Sequence, residues 1–215
     1  MIRTLLVDDQ RLVRAGLRML CEASADVQVV GEAQDGQQAI TMVDRLVPDV
    51  VLMDLRMPGV DGITATQRIL AGRPTTRIVV LTTFDDDEHL YPALAAGACG
   101  FLAKDTAPET LLDGVRRAAA GDSPFSPDVL RRVVSRAVAS APGGHGRPAV
   151  TLTERERDVL ALLASGYSNA EIGQRLYIGV TTVKTHVANL MAKTQSRNRV
   201  QLALAAGRLG IADAD

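Results

Sequence analysis

The sequence lacks any long apolar run. Its uninterrupted apolar stretches are only a handful of residues long, whereas a membrane-spanning helix needs about 20. The amino terminus also lacks the charged region followed by an apolar region that is typical of a secretory signal. We therefore expect a cytoplasmic protein with no membrane partner.

Cysteine is also scarce. The chain has 2 cysteines, Cys21 and Cys99, and both stand in apolar surroundings without the spacing of metal ligands. This favours two buried, small hydrophobic side chains over a disulfide or a redox pair. Redox chemistry is not expected.

Basic residues are outnumbered in the first half of the chain, and acidic residues are outnumbered in the second. Residues 1–121 carry 17 acidic and 12 basic side chains, a net charge of −5, whereas residues 151–210 carry 4 acidic and 8 basic ones, a net charge of +4. A length of 215 residues allows two small domains. The asymmetry suggests a cation-binding or enzymatic site in the first half and a polyanionic partner for the second.

Short apolar strands alternate with amphipathic helices through the first half. This alternation predicts a parallel sheet covered by helices on both faces. The predicted strands are Thr4–Val7, Val27–Val30, Val50–Met53, Ile78–Leu81 and Cys99–Ala103. The predicted helices run through Leu12–Leu20, Ala39–Leu46, Ile63–Leu70, Glu88–Ala96 and Pro108–Ala120.

Asp54 directly follows the third predicted strand, and a turn at Pro58 and Gly59 stops the sheet from continuing there. Ligands of open parallel sheets bind outside the carboxyl ends of the strands, where the strand order reverses. If the order is 2-1-3-4-5, Asp54 meets Asp8 and Asp9, which follow the first strand. Three crowded carboxylates require either protons or a hard cation to compensate their charge, and Mg²⁺ prefers such oxygen ligands.

Two further polar residues end neighbouring strands. Thr82 ends the fourth and offers a hydroxyl, and Lys104 ends the fifth and offers an ammonium group. With Asp8, Asp9, Asp54 and the turn from Met57 to Gly62, they resemble the receiver domain of two-component response regulators. The resemblance covers residues 1–121 and implies a flavodoxin-like (βα)5 fold, for which the strand order above is the known one.

The resemblance also implies a role for each residue. Asp54 accepts a phosphoryl group from a sensor histidine kinase. The metal ligands implied are Asp9, Asp54 and the backbone carbonyl of Arg56, with Asp8 acting through water. Thr82 and Lys104 contact the phosphoryl oxygens, and Phe101 is the aromatic that turns inward on switching.

Each of these residues has a simpler interpretation when taken alone. Asp9 could cap the next helix, Thr82 could be a satisfied hydroxyl, Lys104 a solvated cation and Phe101 a core residue. Their coincidence at four strand ends favours the functional interpretation over the structural one.

Pro92 lies inside the fourth predicted helix. Proline removes a backbone donor there, and we expect it to kink or shorten that helix. The acidic run at residues 85–88 would be a favourable anionic start to the same helix.

Residues 122–150 are predicted to form a linker. Apolar residues among arginines predict a short amphipathic helix over Val129–Val138. Ser140–Pro148 has no periodicity and a flexible composition. His145 falls in this stretch and is interpreted as a solvated linker residue.

Two capping boxes mark helix starts in the second half. Thr153 precedes Glu156, and Ser168 precedes Glu171, at the spacing in which each side chain satisfies the other's backbone. Apolar periodicity then predicts four short helices within residues 151–215, with a break at Gly179 between the second and third. The pattern predicts a smaller, all-α helix-turn-helix domain.

The third of these helices, Val180–Thr194, carries hydroxyls, amides and cations beside its apolar stripe and has no acidic residue from 181 to 193. Such side chains suit phosphate oxygens and base edges in a major groove. The segment from Leu152 to Val187 resembles the LuxR-type DNA-binding domain, and a receiver joined to this domain defines the NarL/FixJ class. The candidate DNA-binding residues are Thr181, Thr182, Lys184, Thr185, His186, Ala188, Asn189 and Lys193.

Within this set the resemblance implies that Lys184 and Thr185 read bases and that Thr182, Asn189 and Lys193 touch the backbone. His186 is a packing residue, a phosphate contact or a base reader. Gly179 and Val180 replace the serine and glutamate usual in the family and give a weaker cap.

The two resemblances together imply a regulator that is not an enzyme, in which phosphorylation of Asp54 switches homodimer formation and binding to double-stranded promoter DNA. One alternative is a phosphohydrolase, which lacks a second aspartate two residues after Asp54 because position 56 is Arg56. Another is a receiver that signals without phosphate. RNA binding is disfavoured because the exposed helix lacks aromatics for stacking bases.

Overall fold

A computed structural model describes residues 1–82, 87–125, 150–196 and 198–211. Contacts divide the chain into two units, Met1–Phe125 and Ser126–Asp215. The predicted helix at Val129–Val138 and the predicted tether at Ser140–Pro148 lie outside the described residues, as do the first two residues of the acidic run at 85–88.

In the first unit, strands and helices alternate along the chain as predicted. The strands are β1 (Ile2–Val7), β2 (Val27–Ala33), β3 (Val50–Asp54), β4 (Arg77–Thr82) and β5 (Gly100–Ala103). The helices are α1 (Arg11–Glu22), α2 (Gly36–Leu46), α3 (Gly62–Gly72), α4 (Asp87–Ala96) and α5 (Pro108–Ala119).

The five strands form one parallel sheet in the order β2-β1-β3-β4-β5. The flavodoxin-like fold and its strand order are therefore confirmed. β1 lies beside β3, with Val7 paired to Met53, so the reversal of strand order falls between the strands that end at the aspartates. This position is where an open sheet leaves a crevice at its carboxyl edge.

Hydrophobic packing covers both faces of the sheet. In β3, Val50 and Leu52 pack into the cluster that includes Leu17 of α1 and Val115 of α5, whereas Val51 and Met53 pack into the cluster that includes residues of α2 and α3. Every residue of β3 is buried, because side chains of a strand alternate between two covered faces.

The two cysteines behave as predicted. Cys21 and Cys99 are both buried and carry free thiols. Burial raises the pKa of each thiol to about 11, so neither is a thiolate near neutral pH.

The helices α1 and α2 differ in how their amino termini are capped. Asp35 caps α2 by accepting a hydrogen bond from the Gln38 amide. The residue before α1 is Gln10, and no side chain caps that helix. The interpretation of Asp9 as a cap of α1 is therefore wrong, and its carboxylate is left for other partners.

The fourth helix runs through Pro92. It spans Asp87–Ala96, with Pro92 inside, so the expected shortening at proline is wrong. Leu90, Ala93 and Leu94 are buried on its inner side, and this packing offsets the backbone hydrogen bond that proline cannot make.

The second unit contains α6 (Glu154–Ala164), α7 (Asn169–Leu176), α8 (Val180–Thr194) and α9 (Arg199–Arg208). Both predicted capping boxes are present, at Thr153 with Glu156 and at Ser168 with Glu171. The four helices enclose a separate cluster that includes Leu160, Ile172, Val187 and Leu202. The predicted all-α helix-turn-helix architecture is confirmed.

Among the described residues, none of the helices combines the length and the apolar character that crossing a membrane requires.

Candidate functional site

Three carboxylates meet at the reversal point of the sheet. Asp8 and Asp9 follow β1 and Asp54 ends β3, and one oxygen of each lies within 4.8 Å of the others. Asp8 is fully buried and Asp54 is 5% exposed, whereas Asp9 faces solvent. The structure thus brings together the cluster that the sequence predicted.

Lys104 binds two of these carboxylates at once. Its Nζ lies 2.8 Å from Oδ2 of Asp8 and 2.8 Å from Oδ2 of Asp54. The backbone fixes this approach, because the amide of Lys104 donates to the carbonyl of Thr82 at 2.8 Å. Lys104 is therefore a partner of the carboxylates and not a solvated cation, while Thr82 stands half-buried at the end of the neighbouring strand.

Burial and charge act on the site in opposite directions. Burial raises the pKa of Asp54 above its ordinary value, the hydrogen bond from Lys104 opposes this, and the like charge of Asp8 adds to it. Burial alone would lower the pKa of Lys104, but its close contacts with the carboxylates of Asp54 and Asp8 hold that pKa above its ordinary value. With three carboxylates and one ammonium group, the cluster favours a further cation.

The donors at this site fit a hard divalent metal. Oδ2 of Asp8 is buried and accepts no hydrogen bond of good geometry within the described residues, and its ionic contact is with Lys104. The amide of Arg56 donates to Oδ1 of Asp54 at 3.4 Å, which brings the Arg56 peptide beside the carboxylate. Oxygen donors of this kind suit Mg²⁺.

Two glycines, Gly36 and Gly62, hold the loop after Asp54. The sequence analysis included Gly62 in the receiver-like turn but did not assign Gly36 to the site. The amide of Gly62 donates to the Leu55 carbonyl at 3.0 Å, and the amide of Gly36 donates to the Val60 carbonyl at 3.0 Å. A Cβ at Gly62 would overlap the Asp54 carbonyl, and one at Gly36 would overlap that of Val60. Each glycine follows an aspartate that caps its helix, which is the sequence signal that points to them.

Phe101 lies inside the protein. It is 4% exposed, and its ring stacks on that of Phe125 with 6.2 Å between centroids and 20° between planes. The structure places Phe101 three positions before Lys104 on the edge strand β5.

The candidate DNA-binding residues lie together on α8. Val183, Val187 and Leu190 of this helix are buried in the core of the second unit. The exposed members of the predicted set are Thr181, Thr182, Lys184, Thr185, Ala188, Asn189 and Lys193, and His186 is half-buried. Gly179 precedes the helix without a side-chain cap, as its residue type predicts.

Lys193 differs from its neighbours in having a strong intramolecular partner. Its Nζ lies 2.7 Å from Oε2 of Glu156 and 3.3 Å from the Thr151 carbonyl. This contact ties the end of α8 to the start of α6.

Family models match both units of the chain. Residues 4–116 match the model described as response regulator receiver domain. Residues 150–206 match the model described as bacterial regulatory proteins, luxR family.

Curated relatives match nearly the whole chain. The transcriptional regulatory protein LiaR of Bacillus subtilis is 42% identical over 97% of this chain and 98% of that protein. The response regulator protein VraR of Staphylococcus aureus is 38% identical over 93% of each chain.

Solved structures of response regulators are also similar to this chain. The response regulator ChrA of a heme-sensing two-component system is 34% identical, covers 98% of both chains and has a TM-score of 0.54. The RcsB response regulator of Salmonella typhimurium, in a structure described by its conformational dynamism for DNA interaction, is 28% identical, covers 94% of this chain and has a TM-score of 0.57.

Proposed function

The chain belongs to the response regulators that join a receiver domain to a LuxR-type DNA-binding domain, and from this we propose that phosphorylation of Asp54 controls its binding to promoter DNA. Its relatives LiaR and VraR are regulators by their names. The proposed domains are a receiver at 1–121, a linker at 122–150 and a DNA-binding domain at 151–215.

The observation that carries the proposal is the position of Lys104 between Asp8 and Asp54, 2.8 Å from an oxygen of each. A phosphoryl group on Asp54 would place new anionic oxygens where Lys104 already stands. The ammonium can then leave the carboxylate and pair with a phosphoryl oxygen, which stabilises the charge that the transfer brings into the site.

The proposed reaction is a transfer from phosphohistidine of a sensor histidine kinase. An oxygen of the Asp54 carboxylate attacks phosphorus, the P–N bond breaks, and the imidazole leaves with the electron pair and takes a proton. The product is an acyl phosphate. The hydroxyl of Thr82 is proposed to donate to one phosphoryl oxygen while Lys104 binds another.

Mg²⁺ is the proposed cofactor. Its proposed ligands are Asp9, Asp54 and the backbone carbonyl of Arg56, with Asp8 contributing through water. When bound, the ion neutralises charge on the carboxylates and on the incoming phosphoryl oxygens. The charge balance of the cluster supports this, because Lys104 supplies one positive charge for three carboxylates.

The output is proposed to lie on α8. Lys184 and Thr185 are the proposed base readers, and Thr182, Asn189 and Lys193 the proposed contacts to the DNA backbone. Exposure of one face of α8 above a buried stripe supports this. A phosphorylated homodimer would present two such helices to half-sites about one helical turn apart, and we place this activity in the cytoplasm.

Asp54 is proposed to be an acceptor in a switch and not a catalyst of turnover. Arg56 occupies the position where an acyl-phosphate hydrolase would carry its second aspartate. No observation favours hydrolysis of a phosphate ester as the main function.

The test is to incubate the full chain with Mg²⁺ and acetyl phosphate and to measure intact mass. We expect a gain of one phosphoryl group that Asp54→Asn abolishes. Asp61→Asn is the matched control, because Asp61 caps α3 from the surface and asparagine caps equally well. Equal modification of wild type and Asp54→Asn would contradict the proposal.

The second half of the proposal needs a DNA assay. Sites selected from a random duplex pool with the phosphorylated full chain should bind the phosphorylated form more tightly than the unmodified form. Equal affinity of both forms would show that Asp54 does not control DNA binding.

A further inference from the structure

The edge of the sheet at β5 is covered by residues 122–125, the last four residues of the first unit. β5 is an edge strand, and an edge normally presents unpaired backbone groups. The amide of Phe101 instead donates to the carbonyl of Pro124 at 2.9 Å. Gly100 allows this approach, since a Cβ there would overlap the Pro124 ring.

These four residues are also held by hydrogen bonds to Arg117 of α5. The amide of Asp122 donates to the Arg117 carbonyl at 2.8 Å, and the Arg117 guanidinium donates to the Ser123 carbonyl at 3.4 Å. The path of the chain as it leaves the first unit is therefore fixed by both β5 and α5.

The ring of Phe125 completes this arrangement. It lies 6.2 Å from the ring of Phe101 and nearly parallel to it, in the range where aromatic pairs attract each other. Phe125 is only half-buried, so its position depends on the few groups that it touches.

Phe101 faces the same side of the sheet as Thr82. In β4 and β5, Val80 pairs with Phe101 and Thr82 pairs with Ala103, and paired residues of parallel strands share a face. Leu102 points to the opposite face, into the cluster with α1 and α5. Phe101 thus lies between the face of the sheet that carries Thr82, the proposed phosphoryl contact, and the point where the chain leaves the first unit.

We propose that Phe125 is a positioning residue of the phosphorylation switch. Because its ring stacks on that of Phe101, a change in the conformation of Phe101 moves Phe125, which lies where the chain leaves the first unit toward the DNA-binding unit. This inference rests on the proposed function. When Phe101 changes rotamer, the stack changes and Phe125 moves. By reciprocity, the packing of Phe125 biases the state of Phe101.

The first experiment uses the small number of phenylalanines. The chain has 3, so the full chain grown with 4-fluorophenylalanine gives a fluorine spectrum that single Phe→Leu variants can assign. We expect Mg²⁺ with beryllium trifluoride, a mimic of the phosphoryl group, to shift the resonances of both Phe101 and Phe125 in wild type and neither in Asp54→Asn.

The second experiment separates positioning from stability. Phe125→Leu keeps an apolar side chain but removes the stack, and we expect it to reduce the gain in DNA affinity on phosphorylation by about three- to tenfold, the range that an aromatic pair can contribute. The rate of Asp54 phosphorylation should stay unchanged. Phe125→Tyr retains the ring and should restore the gain.

Val29→Ala is the control for a general loss of stability. Val29 lies partly buried on β2, at the opposite edge of the sheet, and its truncation should lower the melting temperature without changing the affinity gain.

Three outcomes are distinct. If Phe101 shifts and Phe125 does not, or if Phe125→Leu keeps the full affinity gain, the inference is wrong and the proposed function stands. If wild type takes up no phosphoryl group on Asp54, the proposed function is wrong and the inference falls with it. Joint shifts and a reduced gain support both.

Discussion

The ammonium nitrogen of Lys193 lies 2.7 Å from Oε2 of Glu156. Glu156 is 5% exposed and belongs to the capping box of α6 with Thr153. The hydrogen bond from Lys193 lowers the pKa of this carboxyl, and the bond from the Thr153 amide lowers it further. One carboxylate therefore joins the start of α6 to the end of the predicted recognition helix.

This contact predicts a pH dependence for the second unit. Because the pKa of Glu156 is lower in the folded than in the unfolded chain, its contribution is present above the unfolded value of about 4.3 and is lost as pH falls through the folded value. We expect Glu156→Gln to lower the melting temperature near neutral pH and to match wild type in strong acid. An equal deficit at both pH values would contradict the assignment.

The salt dependence of DNA binding should distinguish the two lysines of α8. No partner holds the exposed Lys184 among the contacts described for α8, so its whole charge is available to DNA. Lys184→Ala should therefore reduce the slope of log K against log salt, by about 0.9 if this proposed base reader also neutralises one phosphate. Lys193 is a proposed contact to the DNA backbone but is already paired with Glu156. If that pair persists on DNA, Lys193→Ala should change the slope less than Lys184→Ala does, and it should lower stability more. Equal slopes for both variants would show that Lys193 exchanges Glu156 for phosphate on binding.

Removal of the phosphoacceptor charge should stabilise the fold. Burial raises the pKa of Asp54, so its ionised form opposes folding at pH values above that raised pKa, and the penalty fades as the pH falls through it and toward the unfolded value of about 3.9. We expect Asp54→Asn to melt at a higher temperature than wild type near neutral pH, with the difference shrinking on acidification. Asp61→Asn, on the surface, should show no such trend.

Mg²⁺ should stabilise the folded chain through the three carboxylates. At a concentration ten times its dissociation constant, a ligand of the folded state adds about 1.4 kcal/mol, and the melting temperature should rise accordingly. Asp9→Asn should weaken this rise, because it removes a proposed ligand from the exposed side of the cluster. An unchanged rise in Asp9→Asn would exclude that residue as a ligand.

Gly62 and Gly16 form a matched pair of substitutions. A Cβ at Gly62 would overlap the Asp54 carbonyl, so Gly62→Ala should cost about 1–3 kcal/mol and slow phosphorylation by moving the Asp54 peptide. A Cβ at Gly16 in α1 meets no atom within 4 Å, so Gly16→Ala should stabilise by about 0.5–1 kcal/mol. Denaturant unfolding measures both, and similar effects at the two sites would contradict the steric argument.

Much of the pocket was predictable because its residues stand at strand ends. A short apolar strand fixes where its last residue lies, and parallel strands end at one edge, so Asp8, Asp54 and Lys104 could be assigned from sequence. The roles of Gly36 and Gly62 were not predictable in this way. The aspartate before each glycine marks a helix cap, but no local pattern records how closely the loop approaches the two backbones.

The sequence by itself determined which segments become strands and helices, because apolar periodicity and capping residues are local properties of the chain. It also determined the chemistry available at the strand ends. Only the tertiary structure decided which groups pair: Lys104 with two carboxylates, Lys193 with Glu156, and Phe101 with Phe125. These contacts join residues far apart in sequence, and only the packing of whole elements sets their distances.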